Sequence, residues 1–312
     1  STDYLFGFIK SDDAPQRVII RPLYPIQNSE IFGYELIPGI VHRATLNRTD
    51  RDGCYDVTYH INQYGRRFMS DTHQKDGMRK LILMGDSLMF GEGLNDHDTL
   101  DSRLSQNFLT ENWAVPGYGP QHALLKLMQS KVGDSYNNSS YASATFIYLF
   151  IGEHFDRALG SCATPWLFNG PSAKGILKGD YQKLGDSLGW KEAVCRSLDR
   201  IGVYSNIAKA ITPGFVRWEL SEQVRVVVEL FSKMSSLTKE LYNGKLKVAV
   251  HPMSPIGELR SAFLKELSAQ GVEFVDLAEI GFDDSDMINP HCDRHQNAKF
   301  NNRLAEILLD HL

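Results

Sequence analysis

From residue 79 onward, short apolar runs alternate with helix-patterned stretches, and each run stops where the chain turns polar or meets glycine or proline. Lys80-Leu81-Ile82-Leu83-Met84 stops at Gly85, and Ala144–Ile151 stops at Gly152. Trp113-Ala114-Val115 stops at Pro116-Gly117, Leu246–Val250 at His251-Pro252, and Val272-Glu273-Phe274-Val275 near Asp276. Short apolar runs rich in β-branched and aromatic residues read as strands buried on both faces. Between and after them, Gln121–Lys131, Ser221–Leu241, Gly257–Ala269 and Ala298–Leu309 carry apolar residues at helical spacing. Strands alternating with helices imply a parallel sheet covered by helices on both faces. Residues 79–312 are therefore expected to form an α/β domain with a central parallel sheet. Ligands of such sheets bind past the carboxyl ends of the strands.

Residues 1–78 follow another pattern. Arg17-Val18-Ile19-Ile20-Arg21 is a short extended segment, and Tyr55, Val57 and Tyr59 alternate with polar residues at strand spacing. Pro22, Pro25 and Gly39 interrupt the region. It reads as a small β-rich N-terminal extension packed against the main domain. Residues 160–215 read as a long excursion with some helix, of the kind that faces substrate in α/β enzymes.

Composition excludes some partners. A net charge of −5 with no basic run gives no footprint for nucleic acid. No stretch approaches the roughly 20 apolar residues that span a membrane. The start at Ser1-Thr2-Asp3 reads as a processed or trimmed terminus. The four cysteines, Cys54, Cys162, Cys195 and Cys292, lack CxxC spacing. They permit two disulfides in an oxidising compartment or, equally, buried thiols.

Four stretches carry candidate chemistry. Gly85-Asp86-Ser87-Leu88 follows a buried strand directly, so Ser87 sits at a strand-to-helix turn where N–H groups favour developing negative charge. The bland reading of Ser87 is a helix cap. Gly185-Asp186-Ser187 repeats the tripeptide after polar Gln182-Lys183 and reads as a turn. Asn112 to Gly119 places Gly117 and Gly119 at a strand end, where backbone N–H groups can approach a ligand. Gly152-Glu153-His154-Phe155-Asp156-Arg157 crowds charge past another strand end. Asp293-Arg294-His295-Gln296-Asn297 precedes the last helix, where Asp293 can orient His295 and the other imidazole nitrogen can take a serine proton. An Asp or Asn helix cap beside an incidental histidine is the alternative, and nearby His291 is a second candidate base.

In this order, the four stretches resemble the SGNH (GDSL) hydrolase superfamily. The first block is matched by Gly85-Asp86-Ser87-Leu88, the second by Asn112 to Gly119, and the last by Asp293 to Asn297. The resemblance covers residues 79–312, and Asn62, Gly65, Arg66 and Arg67 resemble the segment preceding this domain in some bacterial members. It implies a three-layer α/β/α sandwich of the flavodoxin-like kind and a triad of Ser87, His295 and Asp293, with no metal and no cofactor. It implies an oxyanion hole from the N–H groups of Ser87 and Gly117. The third block departs, having Glu153 and His154 where the family has Asn, so either His154 donates in place of Asn or Glu153 occupies that position. Asp86, Asn112 and Arg157 are assigned to substrate binding, with a salt bridge as the alternative for Arg157.

The implied activity is serine-dependent hydrolysis of short-chain, acetyl-type esters on carbohydrate, in the periplasm or outside the cell. A polysaccharide O-acetyltransferase using the same triad and a degenerate glycan- or partner-binding module are the alternatives.

Overall fold

The computed structural model describes residues 17–19, 24–48, 51–67, 78–130, 143–160, 167, 169–188, 193, 195, 219–252 and 257–312. Ile20, Arg21, Cys162 and much of the 160–215 excursion lie outside the described residues.

The N-terminal region forms two small antiparallel sheets. Strands β1 (Arg17–Ile19), β4 (Val41–Arg48) and β5 (Arg51–His60) make one, and β2 (Ile26–Ser29) pairs with β3 (Gly33–Leu36) in the other. Tyr55, Val57 and Tyr59 of β5 are buried while Asp56 is exposed, as strand alternation requires.

The main sheet has five parallel strands in the order β10 (Glu273–Asp276), β9 (Lys245–Val250), β8 (Thr145–Phe150), β6 (Lys80–Met84) and β7 (Leu109–Asn112). All six residues of central β8 are buried. Phe146, Tyr148 and Phe150 share one face of that strand. They meet Tyr242, Phe231 and Phe263 with ring centroids 5.2, 5.0 and 4.4 Å apart.

The helices are α1 (Ser87–Phe90), α2 (Leu100–Leu104), α3 (Pro120–Ser130), α4 (Glu153–Leu159), α5 (Ala173–Lys178), α6 (Leu184–Leu188), α7 (Leu220–Tyr242), α8 (Gly257–Ala269) and α9 (Ala298–Asp310). The long α7 packs against α3, α4, α5 and α8, whereas α9 packs against α2. The fold is a three-layer α/β/α sandwich with small antiparallel sheets at its N-terminal end. One continuous apolar core joins Tyr24, Tyr34, Leu46 and Tyr59 of the N-terminal region to the strands of the parallel sheet.

Two local expectations are corrected. The strand leading into the second block is Leu109–Asn112, not Trp113–Val115. It is an edge strand whose residues alternate between half-buried and buried, so it carries no apolar run; Trp113 follows it, donating to Leu83 O at 2.8 Å. The second Gly-Asp-Ser lies in α6 and not in a turn, with the Ser187 hydroxyl donating to Leu184 O.

Strands β11 (Met287–Asn289) and β12 (Asp293–Gln296) form a hairpin ahead of α9. The Cys54–Cys292 disulfide ties this hairpin to β5. Cys195 is also disulfide-bonded.

Candidate active site

Ser87 opens α1 immediately beyond the carboxyl end of β6. The Asp86 side chain caps the helix by accepting from Leu88 N–H at 3.1 Å, so the cap role falls to Asp86 and leaves the Ser87 hydroxyl available. As the first residue of the helix, Ser87 presents an N–H with no intrahelical acceptor. The next strand end turns at Val115-Pro116-Gly117-Tyr118, closed by Tyr118 N–H donating to Val115 O. Gly117 has φ 82°, the left-handed conformation that the third position of a type II turn demands.

His295 and Asp293 lie on β12. His295 Nε2 is 2.8 Å from Ser87 Oγ, and its Nδ1 is 2.7 Å from Asp293 Oδ1. The same Asp293 oxygen accepts the His295 backbone N–H at 2.8 Å, fixing the carboxylate against the residue it orients. Asn297, not Asp293, caps α9 by accepting from Phe300 N–H. Asn297 also donates to Ser285 O and Met287 O, which pins the hairpin to the helix start. His291 is exposed in the hairpin turn.

The arrangement Ser–His–Asp, with a helix N-terminus at the serine, can remove a hydroxyl proton and direct the oxygen at an electrophilic carbonyl. In fold, the chain resembles the SGNH-hydrolase esterases. An acetyl xylan esterase from the rumen bacterium Butyrivibrio proteoclasticus matches at 14% identity with TM-score 0.45, covering 80% of this chain and 66% of that one. This chain thus spans just under two thirds of that esterase. A psychrotrophic esterase from Pseudoalteromonas sp. matches at 11% identity with TM-score 0.38, covering 74% of this chain and 95% of its own. AlinE4, an SGNH-hydrolase family esterase, matches at 11% identity with TM-score 0.31, covering 65% of this chain and 77% of its own. No protein-family model and no curated protein matches the sequence. The chemistry of the site is therefore read from its own side chains.

Glu92 is the residue that sequence reasoning missed. Its Oε2 lies 3.1 Å from His295 Nε2, on the nitrogen that also faces Ser87. Burial alone would lower the His295 pKa, but the carboxylates of Glu92 and Asp293 outweigh it and raise it to about 9. The only signal in the sequence is an acidic residue between Gly91 and Gly93 shortly after the serine. Gly93 is required there: a Cβ on it would run into Ile288 Cδ1 and the Tyr55 ring, at a φ of +75°. Arg67 holds this loop from inside, donating to Phe90 O at 2.8 Å and Gly91 O at 2.6 Å and pairing with Asp96 at 3.0 Å.

His154 lies in the first turn of α4. It is fully buried, with Nδ1 3.3 Å from the Tyr148 hydroxyl and Nε2 3.3 Å from Asp86 Oδ2, off the line of a well-formed hydrogen bond. Burial lowers its pKa. Glu153 is exposed in the first turn of α4. The third block thus has its histidine buried and its glutamate exposed.

Asp86 and Asn112 are buried and Arg157 is half-buried, and each is held by protein partners. Arg157 ion-pairs with Asp86 and donates to Tyr118 O at 3.1 Å, bracing the first and second blocks from α4. Burial opposes the Asp86 charge, yet Arg157 and His154 hold its pKa far below the usual carboxylate range. Asn112 donates to Met89 O at 2.9 Å and to Asp101 at 3.2 Å, and accepts from Ala114 N–H. The physical reason is that buried polar groups must be hydrogen-bonded and a buried charge such as Asp86 must be paired, because leaving either unsatisfied costs several kcal/mol.

Among the described residues, Glu92, Asp293 and His295 form the group whose donor atoms gather tightly enough to hold a metal ion, all within 4.8 Å. Two of the three, His295 and Asp293, are the side chains in line with the Ser87 hydroxyl.

Proposed function

We propose that the chain is a serine-dependent acyl-ester hydrolase whose substrates are short-chain, acetyl-type esters on carbohydrate. The observation that carries the chemistry is the continuous relay from Ser87 Oγ through His295 to Asp293, at 2.8 and 2.7 Å. His295 Nε2 takes the hydroxyl proton as Oγ bonds to the acyl carbon. Asp293 holds the imidazolium that results. The N–H groups of Ser87 and Gly117 hold the oxyanion, and a lost donor of this kind costs about 3–4 kcal/mol of transition-state stabilisation. The imidazolium then gives its proton to the leaving alcohol oxygen. Water repeats the sequence in reverse and frees the acid.

The carbohydrate and acetyl assignments follow from the resemblance to bacterial members with an N-terminal extension, and the acetyl xylan esterase is one solved structure of similar fold. Cysteines held in disulfides favour an oxidising compartment, in keeping with a periplasmic or secreted enzyme. The test is a panel of O-acetylated oligosaccharides against aryl esters of increasing acyl length, with products analysed with and without a sugar acceptor. Acetate release that falls as the chain lengthens supports the reading. Preference for long acyl chains would overturn the substrate class, and acetyl transfer to the added sugar would make the protein a transferase.

A further inference from the structure

One imidazole nitrogen faces two oxygens. His295 Nε2 is 2.8 Å from Ser87 Oγ and 3.1 Å from Glu92 Oε2. When Nε2 carries a proton, it donates to the Glu92 carboxylate. When it does not, its lone pair accepts from Ser87 but stands opposite a carboxylate oxygen, which is repulsive. The two oxygens therefore favour opposite protonation states of the base.

Glu92 is built into this position. The buried phenol of Tyr55 lies 3.4 Å from its Oε1, and the buried phenol of Tyr24 hydrogen-bonds the same carboxylate. Its side chain is 5% exposed, so water does little to screen it from His295. The charged and titratable groups around His295 come from every side: Asp293 on its own strand, Glu92 and Asp86 flanking α1, and Tyr59 of β5 with the Arg67 guanidinium 4.6 Å from its ring. Arg67 is the nearby cation in this set, and its own partners are Asp96 and backbone carbonyls.

We propose that Glu92 is a positioning residue of the triad, whose carboxylate holds the proton-bearing form of His295 Nε2 so that Ser87 is activated only once that proton is lost. The proposal rests on the esterase reading above. During turnover the same contact works in the forward direction. The proton that leaves Ser87 Oγ arrives on Nε2 beside an acceptor already in place, and moves from there to the leaving alcohol oxygen. Glu92 thus strengthens the base and, by the same interaction, keeps it protonated to higher pH.

The test follows kcat/KM for an aryl acetate from acid to alkaline pH in wild type, Glu92→Gln and Glu92→Asp. In parallel, NMR of protein labelled with ¹³C at histidine Cε1 follows the titration of His295, assigned by its loss in His295→Gln. The acid limb and the NMR midpoint are both expected to fall by about one pH unit or more in Glu92→Gln, with Glu92→Asp between the two. A purely structural role would lower the rate at every pH and leave the midpoint where it is. Coincident midpoints in wild type and Glu92→Gln would overturn the proposal. If Glu92→Gln does not fold, a wild-type His295 midpoint near the ordinary ~6.5 overturns it equally. An NMR shift without turnover in any form would sustain the Glu92–His295 contact and count against the esterase reading instead.

Discussion

The Tyr34 hydroxyl donates to the Pro116 carbonyl oxygen at 2.8 Å, joining the N-terminal region to the turn of the second block. That carbonyl and the Gly117 N–H belong to one trans peptide plane, so they point in opposite directions. Fixing one aims the other. Tyr118 returns the contact by donating its hydroxyl to Tyr34 O. The N-terminal region thereby holds one of the two proposed oxyanion donors, as well as the tyrosines around Glu92.

Tyr34→Phe removes the anchor and keeps the ring. The expected result is a kcat lower by about 3- to 10-fold with KM little changed, and a stability loss of about 1 kcal/mol. Steady-state kinetics with chemical denaturation checks both, and an unchanged kcat would mean that the turn holds Gly117 without Tyr34.

Arg67 supports the Glu92 loop with its side chain fully enclosed. Arg67→Met takes a donor from Asp96 and from the carbonyls of Phe90, Gly91 and Leu94, leaving Asp96 with His60 and Gly91 O with Leu94 N–H. Losing one partner of such a buried network costs about 3–5 kcal/mol. A midpoint shift of that size in urea is expected, and a variant as stable as wild type would contradict the clamp.

The Cys54–Cys292 disulfide joins the neighbour of Tyr55 to the neighbour of Asp293, across a sequence separation of 238. In the chain-entropy account, closing so long a loop contributes up to about 5 kcal/mol. Cys54→Ser with Cys292→Ser is expected to lower Tm and also to lower kcat, because Asp293 and Glu92 are held from the two ends of that bond. Loss of stability with full kcat would confine the disulfide to the fold.

The raised His295 pKa carries a stability sign as well as a kinetic one. A group whose pKa rises on folding stabilises the native state fully below its unfolded value of ~6.5, and that contribution is lost as pH rises through the folded value of about 9. Wild type is therefore expected to be more stable than His295→Gln at pH 6 by a margin that shrinks towards pH 10. Asp86 works in the opposite sense: its depressed pKa adds stability above the ordinary carboxylate range, lost as pH falls. Thermal melts across pH check both directions.

The parallel sheet was legible because strands buried on both faces leave apolar runs, as β6, β8 and the Val248–Val250 half of β9 do. The edge strand β7 was not, since Leu109-Thr110-Glu111-Asn112 is only half covered and reads as mixed. Ser87, Asp293 and His295 could be picked out because each sits at a punctuated strand end or beside the last helix. Asp86, Asn112 and Arg157 stood out for the same reason, but a charge at a strand end points outward or inward according to its partners, and those partners are remote in sequence. Glu92 was hidden by the same distance. Its meaning depends on His295, about two hundred residues further along the chain, and an acid between two glycines looks like a surface turn.

The most direct test of the central claim is whether Ser87 is an activated nucleophile. Wild type and Ser87→Ala are incubated with a serine-reactive alkyl phosphonate, the adduct is located by mass spectrometry, and hydrolysis of a short-chain aryl acetate is followed alongside. The account predicts one adduct, on Ser87, with turnover in wild type and neither in Ser87→Ala. A wild-type protein that neither labels nor turns over, or a Ser87→Ala variant that hydrolyses at the wild-type rate, would contradict it.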